Sequence, residues 1–286
     1  MILTIYTPTY NRSRLLERVY NHLINQTNKE FIWMIVDDGS SDDTKNVVKH
    51  WINDNIIQIK YYYKENGGVH TAREFAYDHC ETELIASVDS DDWLTSDAVD
   101  KIIKSWTLRD SNNYAGIIAP ASLSDGTVLN KNFPDEKCVT YQDLTFRHRF
   151  RYDKITVLKV DMVRKLEKAP SFKNEKLVVE SFKWIQIPQN MPFLIIGDSI
   201  LIKEYQQSGY TKSPNNNLRN NLHSYREVYR QYMNHAKYFR PLIRGYVGFI
   251  ACSIVLKKSF FKDLKNPILG IIALPIGLYR ARKIKK

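Results

Sequence analysis

"ELIASVDSDD", residues 83–92, carries the decision about the fold. Five apolar or small residues, Leu84 to Val88, run into three carboxylates, Asp89, Asp91 and Asp92. A short apolar run bounded by polar residues reads as a strand buried on both faces. Like charges crowded at its end repel unless a cation sits among them.

Working outward, the same pairing of apolar run and polar cluster recurs. "ILTIYT" (2–7), "FIWMIV" (31–36) and "IIQIKYYY" (56–63) read as strands. Between them, "RLLERVYNHLINQ" (14–26), "SSDDTKNVVKHWI" (40–52) and "GVHTAREFAYDH" (68–79) carry helical spacing; the first sets Leu15, Leu16, Val19 and Leu23 on one face. The second opens on N-cap residue types, and the third follows a Gly67-Gly68 hinge. Strand and helix alternating at this spacing predict an α/β fold with a mostly parallel sheet and helices on both faces. Ligands of such sheets bind beyond the carboxyl ends of the strands. The polar clusters "TPTYNR" (7–12), "DDGSSDD" (37–43), "KENGG" (64–68) and "DSDD" (89–92) all stand there, so they are expected to form one site.

A D-x-D pair at a strand end presents hard oxygen ligands, which suit Mn²⁺ or Mg²⁺. The competing reading is that these Asp residues cap turns. "VDDGSSDDT" lacks the P-loop pattern, and no G-x-G-x-x-G is present, so neither an ATPase cradle nor a dinucleotide fingerprint is supported. Asp37 and Asp38 suit accepting hydrogen bonds from a base or a ribose, although D-G-S is turn chemistry in itself. Arg73, one turn into its helix, can reach a phosphate or base; the alternative is an exposed helical cation.

Beyond residue 115 the pattern loosens. "AGIIAPAS" (115–122) and "FLIIGDSILI" (193–202) read as strands, while "YQDLTFRHRFRYDK" (141–154) and "NEKLVVESFKWIQI" (174–187) read as partly helical. "SPNNNLRNN" (213–221) has a linker's composition. "LHSYREVYRQYMNHAKYF" (222–239) reads as a helix, and two uncharged stretches follow, Gly245–Leu256 and Asn266–Tyr279.

The net charge is +11, unevenly spread: Lys212 to the end holds 16 Lys and Arg against Glu227 and Asp263. A basic tail on a near-neutral body points to a polyanionic surface. Three cysteines, Cys80, Cys138 and Cys252, are odd in number and widely spaced, so neither a disulfide framework nor a thiolate zinc site is expected. His50, His70 and His79 lack zinc spacing. Residues 2–6 read as a buried strand, which leaves no room for a signal peptide.

The ordered set "TPTYNR", "VDDGSSDDT", "ENGGVHTAREFA" and "VDSDDWL" resembles the family 2 glycosyltransferases of the GT-A fold. A looser likeness runs through "EKLVVESFKWIQI" (175–187) and "EYQQSGYTKS" (204–213) to bacterial capsule, O-antigen and teichoic-acid enzymes. The resemblance implies a catalytic domain over 1–211, with the nucleotide-sugar part at 1–115 and the acceptor part at 116–211. Residues 212–286 would form a basic helical region associated with the membrane. It implies that Pro8 and Tyr10 line the base pocket and that Asp38 accepts from the uracil imide. Arg12, Gly67 and Arg73 join the nucleotide-binding set, and Asp89 lies toward the ribose. Asp91 would hold the metal, with Asp92 able to share it. Glu180 is the implied general base. Val179 stands where relatives often carry Pro, so Glu175 is kept as the alternative. Lys212 would contact the diphosphate.

The implied activity is inverting transfer from a UDP-sugar to a lipid-linked oligosaccharide, with an undecaprenyl-diphosphate carrier, at the cytoplasmic face of the membrane. Each uncharged tail stretch falls short of the about 20 apolar residues a span needs, so peripheral attachment to an anionic surface is expected. Competing readings are a metal-dependent nucleotidyltransferase and an inactive nucleotide-sugar-binding relative. The first would need a Gly-rich loop where "TPTYNR" stands. Nucleic acid is not expected as a partner, because long uncharged stretches interrupt the basic charge.

Overall fold

The computed structural model describes residues 1–108, 111–204 and 214–285, and the chain divides into two compact units, Met1–Leu166 with Pro188–Gln207, and Glu167–Ile187 with Ser208–Lys286. Lys212 lies outside the described residues.

The first unit is built on strands β1 (Leu3–Thr9), β2 (Phe31–Asp37), β3 (Gln58–Tyr63) and β4 (Leu84–Ser87), joined through helices α1 (Ser13–Ile24), α2 (Thr44–Asp54) and α3 (Val69–His79). β1 pairs parallel with β2 and β4, and β2 pairs parallel with β3. Every residue of β2 is buried, as its unbroken apolar run predicts for an inner strand. α1 turns Leu16, Val19, Tyr20 and Leu23 onto the sheet. There Tyr20 stacks on Trp51 with ring centroids 4.4 Å apart, and Trp33 lies 5.7 Å from Trp51. Such aromatic pairs add about 0.5–1.5 kcal/mol each beyond their buried area.

The sheet continues past β4 in a way the sequence pattern does not announce. After β5 (Trp93–Leu94), α4 (Ala98–Thr107), β6 (Gly116–Leu123) and β7 (Cys138–Val139) comes β8 (Lys154–Lys159). β8 inserts antiparallel between β4 and β6, so the strand order is β3-β2-β1-β4-β8-β6. Of the stretch 141–154 only residues 141–147 are helical, ending in a single π-type turn, Asp143–Arg147. After α5 (Val160–Arg164), the expected strand at 193–202 divides into β9 (Phe193–Ile195) and β10 (Leu201–Lys203). Both pair parallel with β6, one after the other, with residues 196–200 as the break. β10 also pairs antiparallel with β5, Ile202 opposite Trp93.

The second unit gathers α6 (Ser181–Trp184), α7 (Pro214–Asn220), α8 (Leu222–His235), α9 (Phe239–Val255) and α10 (Pro267–Lys285). The stretch with a linker's composition is therefore not a linker where it is described: Pro214–Asn220 form a helix. Leu218 and Leu222 pack on the cluster of Tyr246, Phe249 and Ile250, and that burial outweighs the polar composition. Buried Asn221 accepts the N–H groups of Lys176 and Leu177 at 3.1 and 3.0 Å, which draws residues 175–177 to the start of α8. Segment 167–187 thus packs with the C-terminal helices rather than with the sheet.

Candidate active site at the strand ends

Register brings the polar clusters to one edge. Thr9 lies opposite Asp37, Asp37 opposite Tyr63, and Tyr6 opposite Ser87, so β1 to β4 deliver their following loops side by side.

One carboxylate oxygen from each of Asp89, Asp91 and Asp92 lies within 4.8 Å of the other two. Their environments differ. The Asp89 side chain is half exposed, that of Asp91 mostly covered and that of Asp92 sealed. Lys203 Nζ contacts Asp92 Oδ2 and stands 3.9 Å from Asp89 Oδ2. The β5–β10 pairing explains this: Lys203 follows Ile202 and Asp92 precedes Trp93 on antiparallel strands. Burial pushes the Asp92 carboxyl up to about 7, with the Lys203 ammonium opposing and Asp89 and Asp91 adding to the rise. Burial would lower Lys203, but Asp89 and Asp92 outweigh it and raise its pKa, so it stays cationic. Asp92 Oδ1 is buried without a hydrogen-bond partner. A sealed carboxylate oxygen with an open lone pair, beside two more carboxylates, fits a hard divalent cation.

Arg12, following β1, donates to Ser90 Oγ at 3.1 Å and lies 3.6 Å from Asp91 Oδ2. Arg18, on α1, donates to the Asp91 carbonyl at 3.0 Å and to Glu204, with its guanidinium 4.3 Å from the Trp93 ring centre. The sequence does not single out Arg18 or Lys203. An arginine in a helix and a lysine ending a strand carry no local signature; only the fold brings them to the carboxylates.

On the other side, Asp38 is buried and accepts from Lys64 Nζ at 2.5 Å, Gly67 N at 3.0 Å and Gly68 N at 2.7 Å. Gly68 adopts φ +96°, which needs glycine. Asp37 accepts from Ser40 N and from the Tyr61 hydroxyl at 2.6 Å; burial and then this bond raise the Tyr61 pKa. Asn11 Oδ1 accepts from Ser41 N at 2.8 Å and ties the first loop to the second. Burial pushes Asp42 up, but bonds from Thr44 and from Ser13 N–H outweigh it and hold the carboxyl below its usual value. Pro8 is in β1, Tyr10 is half exposed just past it, and Arg73 is half-buried on α3.

Glu175 and Glu180 lie in the second unit. Glu175 is buried and accepts from His223 N at 2.8 Å, Ser224 N at 2.7 Å and Ser224 Oγ at 2.6 Å. It closes the open N–H groups of the first turn of α8, where a negative charge also meets the helix dipole favourably. Glu180 is half-buried at the start of α6, beside a small core of Val178, Phe182 and Val228.

Parallel strands β1 to β4, the antiparallel β8 beside them and a D-x-D cluster at the strand ends are the arrangement of the GT-A fold, and the family match identifies the chain as a glycosyltransferase. The model of glycosyl transferase family 2 matches residues 4–164, and the chain belongs to that family. It is 23% identical to the GalNAc(5)-diNAcBac-PP-undecaprenol beta-1,3-glucosyltransferase of Campylobacter jejuni, over 96% of this chain and 93% of that one. It is 28% identical to the putative teichuronic acid biosynthesis glycosyltransferase TuaG of Bacillus subtilis, over 50% of this chain and 56% of that one. The fold is shared with residues 1–349 of S. aureus TarS in complex with UDP-GlcNAc: TM-score 0.66 at 15% identity, covering 99% of this chain and 83% of that chain. It is shared too with the Pyrobaculum calidifontis mannosyltransferase PcManGT in complex with GDP-Man and Mn²⁺: TM-score 0.59 at 15% identity, covering 99% and 74%.

Proposed function

We propose that this glycosyltransferase moves a sugar, with inversion, from a UDP-sugar to a hydroxyl of an undecaprenyl-diphosphate-linked bacterial glycan at the cytoplasmic face of the membrane. The observation that carries the donor side is the cluster of Asp89, Asp91 and Asp92 at the carboxyl edge of parallel strands, beside the Asp38 loop. The name of the Campylobacter relative supports a lipid-linked acceptor, and the TarS complex supports UDP.

In this reading Pro8 and Tyr10 receive the base and Asp38 accepts from it. Arg12, Gly67 and Arg73 complete the nucleotide contacts, and Asp89 faces the ribose. Asp91 and Asp92 would hold Mn²⁺ or Mg²⁺, which when bound neutralises charge on the departing diphosphate. The acceptor hydroxyl oxygen attacks the anomeric carbon, its proton passes to Glu180, and the bond from that carbon to the diphosphate breaks with its electron pair leaving on UDP. The commitment of Glu175 to the α8 cap favours Glu180 as that base. Lys212 is assigned to the diphosphate from its place in "GYTK".

The test is UDP release from a panel of UDP-sugars with Mn²⁺ or Mg²⁺, with and without a lipid-linked acceptor, for wild type, Asp91→Asn and Glu180→Gln. Release that needs metal, Asp91 and Glu180 supports the reading. Absence of both UDP binding and release under every metal removes it. Binding of UDP without turnover in the presence of acceptor points to an inactive relative.

A further inference from the structure

Helix α10 turns a row of small residues toward the protein and a row of large apolar ones toward water. Gly270, Ala273, Gly277 and Ala281 are buried along one side. A Cβ on Gly270 would come within 2.3 Å of Leu264, and one on Gly277 within 2.8 Å of Ile250, so this close packing excludes larger side chains. The opposite side carries Ile268, Ile271, Ile272, Pro275, Ile276 and Tyr279, all exposed, the isoleucines by 55–68%. Their spacing of three and four residues makes one continuous apolar stripe. A soluble surface rarely leaves such a patch uncovered.

The charge around the stripe identifies what covers it. No acidic residue follows Asp263. Lys262 and Lys265 flank one end of α10, and exposed Arg282, Lys283 and Lys285 the other. A second copy of the chain laid antiparallel along the same stripe would bring basic end against basic end, and the acid beside it, Asp263, is already held by Arg226. A nucleic acid would leave the isoleucines in water. No described helix is long and apolar enough to cross a membrane. Pro275, in mid-helix on the exposed side, also lacks the N–H that would bond the Ile271 carbonyl, a loss best tolerated where water remains.

We infer that α10 lies flat in the interface of an anionic bilayer, its isoleucine stripe in the acyl boundary and its basic ends on the head groups. This deepens the lipid-linked-acceptor reading, but it is measured without donor or acceptor, so either can fail alone.

The test is flotation of the full chain with phosphatidylcholine vesicles, with and without phosphatidylglycerol. Wild type is expected to float with the anionic vesicles alone. Ile271→Ser with Ile276→Ser weakens that binding at least about tenfold. Lys262→Gln with Arg282→Gln and Lys285→Gln weakens it about a hundredfold, from the usual worth of each cation near such a surface. Tyr279→Trp, in the otherwise unchanged chain, gains quenching by brominated lipid, a readout that does not depend on the multiple variants folding. Wild type that ignores anionic vesicles overturns the inference. So does a Tyr279→Trp protein whose added indole stays unquenched on bound vesicles, or an isoleucine variant that binds vesicles normally while converting a wild-type dimer to a monomer.

Discussion

Lys203 is a cation that offsets part of the charge of the crowded carboxylates, and it is invisible in the sequence because only the pairing of β5 with β10 sets it beside Asp92. The acids themselves are legible, since an apolar run ending in three Asp has few other uses. Removing one partner of a buried pair leaves an uncompensated charge. Lys203→Met is therefore expected to destabilise the protein by about 3–5 kcal/mol, and adding Asp92→Asn to recover part of the loss. Urea unfolding of the two single variants and the double reads this directly. The two glutamates separate by a different measurement. Glu175 fills the open end of α8, so Glu175→Ala is expected to lower stability by about 1–3 kcal/mol. Glu180→Gln is expected to leave the unfolding midpoint nearly unchanged while abolishing UDP release to acceptor. A reversed pattern would move the base to Glu175.

Unbroken apolar runs mark the inner strands β1, β2 and β4, and one buried face marks helices α1 to α3. Such patterns fail where neighbours decide. β8, "KITVLK", is bracketed by lysines and only six residues long, yet it joins β4 to β6 in the middle of the sheet. The Asn-rich stretch before α8 is a helix because Leu218 packs on α9. α10 is the sharpest case, since its glycines punctuate the sequence like breakers but mark helix contacts. Gly277→Val is accordingly expected to cost about 1–3 kcal/mol, because its side chain meets Ile250. Ile276→Ser, one residue away on the exposed face, is expected to stay within about 0.5 kcal/mol. Thermal unfolding of the two variants distinguishes a packed α10 from a loosely attached one.

Charge and chemistry are divided between the two units. The first holds the strand-end carboxylates, and the whole of the basic excess belongs to the second. A ligand that binds the folded chain but not the unfolded one stabilises it by mass action, by about 2.7 kcal/mol at a hundredfold excess over its dissociation constant. For a chain of this size that corresponds to a rise of about 5–10 °C in the thermal midpoint. UDP with Mn²⁺ is expected to produce such a rise in wild type, and UDP without metal a much smaller one. Asp91→Asn should lose the metal-dependent part and keep the rest, because the Asp38 loop is untouched. Arg282→Gln, on the basic tail, should keep the whole rise. Differential scanning calorimetry with and without chelator measures all of these without turnover. An Asp91→Asn protein that responded to Mn²⁺ and UDP as wild type does would move the metal away from the Asp cluster, whatever the sugar or acceptor proves to be.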